Sequence, residues 1–267
     1  MSSGDTRLDT RIRLTCGRAL SLPPLPSEVD LIDGASDHEA VVAAFAEQFT
    51  VDVSGIGENQ RARFVSALGK NAFRVTVAIF VADFVPRVWA GLEALGMGKP
   101  GNGGGAPDWD HDTDPIGALL NDFAPAVARL RALDPLTTEV VRLRGAAQHN
   151  CRLCKSRREG NALDAGGSES LYGDIENFET SERLSNRQKA ALRYVDALIW
   201  TPSRISRTVV AGVREHLTEE EAFELTLDVM RNACNKIMEA LGADAAQVAE
   251  GTEPFRVDAD GQTVVVG

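Results

Sequence analysis

The sequence predicts an all-α protein, and three observations predict it. Apolar residues recur at three- and four-residue spacing through most of the 267 residues. Helix-start signals are frequent: Asp134-Pro135 gives an N-cap with proline behind it, and Thr218 with Glu221 forms a capping box. Strict alternation is confined to the tail FRVDADGQTVVVG, where Asp260-Gly261 signals a hairpin. The expectation is a helical bundle ending in a short C-terminal β-hairpin, with no larger sheet.

Five segments follow from this pattern. Residues 1–27 carry Pro23, Pro24 and Pro26 and read as an extended N-terminal arm. Residues 28–96 form an N-terminal helical half. In it Asp37 caps DHEAVVAAFAEQF, whose face is Val41, Ala44, Phe45 and Phe49; Phe64, Val65 and Leu68 face one way on the next helix. The third stretch, RVTVAIFVADFVPRVWAGLEALG, is apolar all round and reads as buried, with Pro86 kinking or splitting it. Residues 97–115 are a Gly/Pro-rich loop, and without GK[ST] or a preceding strand its glycines make no phosphate loop. Its acidic cluster, Asp108, Asp110, His111, Asp112 and Asp114, lacks the glycine and closing glutamate of a calcium loop, so no metal is expected. Residues 116–250 form the second helical half, and 251–267 the hairpin tail. LEALG at 92–96 echoes MEALG at 238–242, which makes the halves candidates for two copies of one helical unit.

Composition narrows the function. The chain is 43% hydrophobic and 25% charged, with a net charge of -11. That charge argues against general nucleic-acid binding, which needs basic surface to neutralise phosphates. The longest apolar stretch, Val75–Val85, contains Asp83 and is too short to span a bilayer. The N-terminus lacks the apolar core of a signal peptide, so no membrane partner and a cytoplasmic location are expected.

Four cysteines are too few for a disulfide scaffold, but Cys151 and Cys154 form a CxxC. Asn150 reads as an N-cap, placing both thiols in the first turn of a helix, where same-face sulfurs can meet. Unpaired N–H groups and the dipole at a helix start favour a thiolate, and Arg152, Lys155, Arg157 and Arg158 add positive potential. Such a pair can reduce an O–O bond through a sulfenic acid and close to a disulfide. Two alternatives stay open: half of a zinc site with His149, short of the usual four ligands, or an inert pair. Trp200, Phe178 and Tyr172 are candidates for a peroxide pocket, though such aromatics more often pack a core. Cys234 reads as a small buried hydrophobe, and Cys16 has no assigned role.

Glu139, twelve positions before Cys151, followed by Cys154, resembles the E-x11-C-x-x-C signature of the alkylhydroperoxidase AhpD and carboxymuconolactone decarboxylase family. The helix LTEEEAFELTLDVMRNACNKIMEALG resembles a later family helix with Asn-x-x-Asn, matched by Asn232 and Asn235, and WTPSRIS at 200–206 resembles the loop between the family's last two helices. The resemblance covers roughly residues 116–245. It implies an AhpD-like helical bundle, a homo-oligomer (dimer, trimer or hexamer), no cofactor, and reduction of hydroperoxides at the expense of an external thiol or dithiol. It also implies that Cys154 attacks peroxide, that Cys151 resolves, and that Glu139 belongs to a proton relay. The helix dipole alone instead favours Cys151 as the more acidic thiol. The family's relay histidine is Arg158 here, which cannot act as a base near neutrality but could hold a thiolate by charge; His149 is the candidate substitute. Alternative expectations are a decarboxylase-like enzyme, whose relatives generally lack CxxC, or a non-catalytic redox-sensing oligomer.

Overall fold

The computed structural model describes residues 2–31, 34–98 and 109–265. Helix α1 (Thr6–Leu20) opens the chain, capped by Asp5, whose carboxylate accepts the Arg7 and Leu8 N–H groups at 3.0 Å each. It buries Leu8, Ile12, Cys16 and Leu20, a four-residue repeat down one face. The expected extended arm over 1–27 is therefore corrected: residues 6–20 are helical, and the non-helical stretch begins at Ser21, left-handed at φ 55°. Prolines bar helix at and just before their own positions, so residues up to Leu20 were free to coil. The proline segment folds back over Gly17, where a Cβ would lie 2.8 Å from Pro24 Cα.

Helix α2 (Asp37–Val51) is capped by Ser36, not Asp37, in a capping box with Glu39. Its buried face is Val42, Phe45, Ala46 and Phe49, while Ala44 is exposed. Helix α3 (Glu58–Leu68) buries Phe64, stacked on Phe45, and Leu68; Val65 faces solvent, against expectation. Helix α4 (Ala72–Ala94) runs unbroken through Pro86, so the expected split does not occur. Burial on nearly every side offsets the missing backbone hydrogen bond. The window of Glu58–Ala94 long and apolar enough to cross a membrane is 78% buried inside the molecule, as a core helix is.

Short helices α5 (Pro115–Gly117) and α6 (Ala124–Ala128) flank a π-helical stretch, Ala118–Phe123. The described acidic-loop residues cap and pair locally. Asp110 accepts the Asp112 and Thr113 N–H groups, Asp114 caps α5 and pairs with Arg74, and His111 lies 3.2 Å from Glu28. Asp108 lies outside the described residues.

Helix α7 (Pro135–Gln148) is followed by α8 (Arg152–Lys155), strand β1 (Arg157–Glu159), α9 (Gly160–Asp164) and α10 (Glu169–Tyr172). Helices α11 (Asn186–Trp200), α12 (Arg207–His216), α13 (Glu219–Ala233) and α14 (Lys236–Ala240) complete the bundle. The tail forms the expected hairpin, β2 (Glu253–Val257) with β3 (Thr263–Val265), in antiparallel register Phe255↔Val265. The sheet is one strand larger than expected: β1 pairs with β2 in parallel, Arg157↔Glu253.

One apolar core joins both helical halves, drawing on α1, α2, α3, α4, α11 and α13. Within it sits a charged knot. Asp83 of α4 accepts from Arg87 Nε at 2.7 Å and from Lys236 Nζ at 2.6 Å, and all three side chains are at most 3% exposed. Arg87 also donates to the carbonyls of Thr50, Leu198 and Ile199, tying α2 and α11 to α4.

Candidate active site at the cysteine pair

Local sequence turns the chain sharply between α7 and α8. Asn150 adopts a left-handed backbone, φ 58°, which asparagine tolerates better than most residues. The Cys151 N–H donates to the Ala146 carbonyl at 3.0 Å and the Asn150 N–H to that of Ala147 at 3.2 Å, a Schellman ending for α7. Asn150 is thus the terminator of α7 rather than the N-cap of α8. Cys151 is the N-cap, its Sγ accepting the Cys154 N–H at 3.3 Å.

The sulfurs of Cys151 and Cys154 do meet. They form a disulfide, with the Cα atoms 5.4 Å apart. The surroundings of the two differ. Cys151 is 1% exposed and packs against Ala146. Cys154 borders a cavity of about 310 Å³, walled by Leu120, Leu153 and Phe255 and by Arg142, Arg157 and Arg231. Asn232 and Asn235, the Asn-x-x-Asn pair, line the same cavity, as do Gln262 and Thr263 from the hairpin. Sequence reasoning missed these hairpin residues and Arg142 and Arg231. Arg142 could have been found as the i+3 partner of Glu139; nothing local announces that the tail returns to the cysteines.

Glu139 is buried, and both its oxygens are taken. It holds Arg142 through two bonds of 2.6 and 2.7 Å and accepts the Glu159 N–H at 3.1 Å. Arg142 in turn donates to the carbonyls of Cys154 (2.9 Å) and Arg157 (2.7 Å) and lies over the Phe255 ring. Glu139 is therefore linked to Cys154 through Arg142, which holds the Cys154 carbonyl.

Arg158 does not face the sulfurs. It forms a two-pronged pair with Glu169 (2.7 and 2.8 Å), donates to the Lys155 and Arg157 carbonyls, and covers Tyr172. The expectation that its charge could hold a thiolate is corrected accordingly. His149 ends α7 and packs edge-on to Phe84, outside the cavity lining. Burial, reinforced by Lys236 and Arg87, holds its pKa well below the usual imidazole value, so the ring is neutral. Tyr172 and Phe178 belong to a small separate core with Val140 and Leu192, and Trp200 is 45% exposed, so none of the three borders the cavity. Burial pushes the Cys16 and Cys234 thiols up to about 12, which keeps both protonated.

Asp244 occupies the start of α8. Its carboxylate accepts the Arg152 N–H at 3.0 Å, its carbonyl the Leu153 N–H at 2.9 Å, and the Arg152 side chain pairs with it at 2.7 Å. A carboxylate thus sits where the dipole would otherwise favour a thiolate. Behind the cavity, Asp228 is 2% exposed, 3.8 Å from Arg231, and one of its oxygens has no hydrogen-bond partner among the described residues. Burial, only partly offset by Arg231, pushes its carboxyl up to about 7.

No family model and no solved structure matches the chain. It is 59% identical over 266 residues to uncharacterized protein Rv2313c of Mycobacterium tuberculosis strain H37Rv, covering 99% of this chain and 94% of that protein. Protein MT2376 of strain CDC 1551 matches equally. Uncharacterized protein YdfG of Bacillus subtilis is 26% identical over 117 residues, 43% of this chain and 80% of that protein. At this identity and coverage, the chain belongs to the family of the Mycobacterium tuberculosis protein Rv2313c.

Proposed function

We propose that the chain is a thiol-dependent peroxidase-like oxidoreductase, resembling the alkylhydroperoxidase AhpD and carboxymuconolactone decarboxylase family and acting in the cytoplasm as a homo-oligomer. One observation carries the reading: of two bonded cysteines, only Cys154 opens onto an arginine-lined cavity, while Cys151 lies buried behind it. In the cycle, the Cys154 thiolate attacks the outer oxygen of a hydroperoxide. The O–O bond breaks, Cys154 becomes a sulfenic acid, and the alkoxide takes a proton to leave as an alcohol. The guanidinium groups around the cavity favour both the thiolate and the charge developing on the departing oxygen. The Cys151 sulfur then attacks the Cys154 sulfur, an S–S bond forms, and hydroxide leaves as water. An external dithiol, oxidised to its own disulfide, resets the pair.

The test is consumption of cumene hydroperoxide with dithiothreitol as reductant. Cys154→Ser abolishes turnover, and Cys151→Ser, assayed without dithiothreitol, consumes one equivalent of peroxide and keeps a trappable sulfenic acid. Unchanged turnover in the double variant overturns the proposal. Turnover of a muconolactone that survives thiol alkylation would move the assignment to the decarboxylases. Reversible oxidation without peroxide consumption would make the pair a redox sensor.

A further inference from the structure

The cavity beside Cys154 holds more positive charge than its own carboxylates cancel. Arg142 spends four of its five N–H donors on Glu139 and two carbonyls. Arg157 is paired with Glu253 at 3.2 Å and with Gln247 at 2.8 Å. Arg231 is different. Its one acidic neighbour within ion-pair distance among the described residues, Asp228, stands 3.8 Å away, beyond hydrogen-bond reach, and titrates near 7. Next to it, the Asn232 side-chain nitrogen is buried with no hydrogen-bond partner among the described residues. Both side chains line the cavity with Cys154. The cavity thus carries a guanidinium with no hydrogen-bonded carboxylate and, next to it, an asparagine with an unpaired buried amide, in a lining that also holds Leu120, Leu153 and Phe255.

An unpaired charge and an unpaired amide in a partly buried site are costly, and a ligand that accepts from both relieves that cost. A carboxylate fits: it is acceptor-only, has two oxygens, and takes guanidinium bonds strongly. A neutral alkyl hydroperoxide offers these donors only the weaker, uncharged acceptor oxygens of its peroxide group. The volume, about 310 Å³, lies at the small end of organic-ligand sites. We infer that the cavity selects compact hydroperoxides that carry a carboxylate, held by Arg231 and Asn232 while the peroxide group reaches Cys154. This rests on the peroxidase reading for the peroxide, but the carboxylate subsite can be tested without it.

Two measurements do so. Binding of 4-isopropylbenzoate to the oxidised protein is compared by calorimetry with binding of 4-isopropylbenzamide. Neither probe reacts with sulfur, so this arm is independent of turnover. The benzoate binds at least tenfold more tightly than the amide to the native chain. Arg231→Gln removes that preference, Arg231→Lys keeps part of it, and Asn232→Ala, which leaves every charge in place, weakens the benzoate several-fold. Turnover of cumene hydroperoxide is then compared with that of its 4-carboxy derivative, and kcat/KM favours the acid by a similar factor in the native chain only. Equal binding of benzoate and amide, or a preference that survives in both Arg231→Gln and Asn232→Ala, overturns the inference. A benzoate preference without any peroxide turnover leaves the subsite standing and removes the peroxidase reading instead.

Discussion

Replacing Glu139 by Gln separates two roles for this carboxylate. A relay acid needs a proton path to the sulfurs, whereas both Glu139 oxygens are engaged by Arg142 and the Glu159 N–H. Glu139 is 1% exposed and the Arg142 side chain 12%, so Glu139→Gln leaves a mostly buried guanidinium without its counter-charge. Breaking such a pair costs about 3–5 kcal/mol. The lower end applies, because Arg142 retains the Cys154 and Arg157 carbonyls. A loss of about 3 kcal/mol in a chain of this size lowers Tm by roughly 6–12 °C. The unmatched guanidinium, bonded to the Cys154 carbonyl, should also make alkylation of reduced Cys154 faster at a given pH. The assay is a thermal melt of the variant, paired with the pH dependence of iodoacetamide alkylation on reduced protein. A melt unchanged within about 2 °C, together with lost peroxide turnover, would refute this positioning role and restore the relay.

Other perturbations probe the frame around the site. Asp83→Asn leaves Arg87 and Lys236 as unpaired cations in the core and should cost about 3–5 kcal/mol, read as a lower urea midpoint; an unmoved midpoint would show that the knot holds nothing together. Glu239 is buried beside Asp244, and burial first, then that charge, raises its carboxyl to about 7. A raised folded-state pKa gives stability that is present below about 4.5 and lost as pH rises through about 7. Glu239→Gln therefore stabilises at pH 8 by about 1–3 kcal/mol and has little effect at pH 4, a difference that melts at the two pH values would detect. At Gly261, φ 82°, a Cβ would overlap the Pro125 carbonyl. Gly261→Ala should lift the hairpin from α6 and weaken 4-isopropylbenzoate binding, because Gln262 and Thr263 line the cavity; unchanged affinity would count against the hairpin as a wall.

Much of the frame was legible because helix signals are local. The Asp134 cap, the Thr218–Glu221 box and the apolar character of α4 all reappear as expected. The errors have local physical causes. Pro23, Pro24 and Pro26 bar helix only over their own stretch, and α1 ends before them at Leu20. On α2, Ser36 won the cap over Asp37 because Glu39 could close the box, and the buried face is Val42, Phe45, Ala46 and Phe49. The pairing of the cysteines, and their position at the start of a short helix, could be read from CxxC. The cavity could not. Its far wall comes from a hairpin about a hundred positions downstream, docked through the register Arg157↔Glu253, and no spacing rule links strands so distant.

The choice of attacking sulfur turns on how the few donors at α8 are shared. A helix start lowers a thiol pKa when its free N–H groups point at sulfur. Here two of the first three belong to Asp244 and the third goes to Cys151 Sγ. Cys151 therefore gains one donor but stands beside a buried carboxylate whose own pKa is held low by Arg152. A carboxylate near a thiol opposes its ionisation, and Arg152 at 2.7 Å from Asp244 offsets part of that charge. Cys154 has no carboxylate of that kind in its cavity lining and faces the guanidinium groups of Arg142, Arg157 and Arg231. With Asp244 in place the helix start no longer favours Cys151 alone, and under the proposed peroxidase reading Cys154 is the sulfur better placed to attack. Asp244→Asn separates the two accounts. With the carboxylate neutralised, the helix start is free to favour Cys151, and alkylation of the reduced protein at pH 6.5 should shift from Cys154 toward Cys151. Modification that already favours Cys151 in the native chain would return the dipole argument to first place.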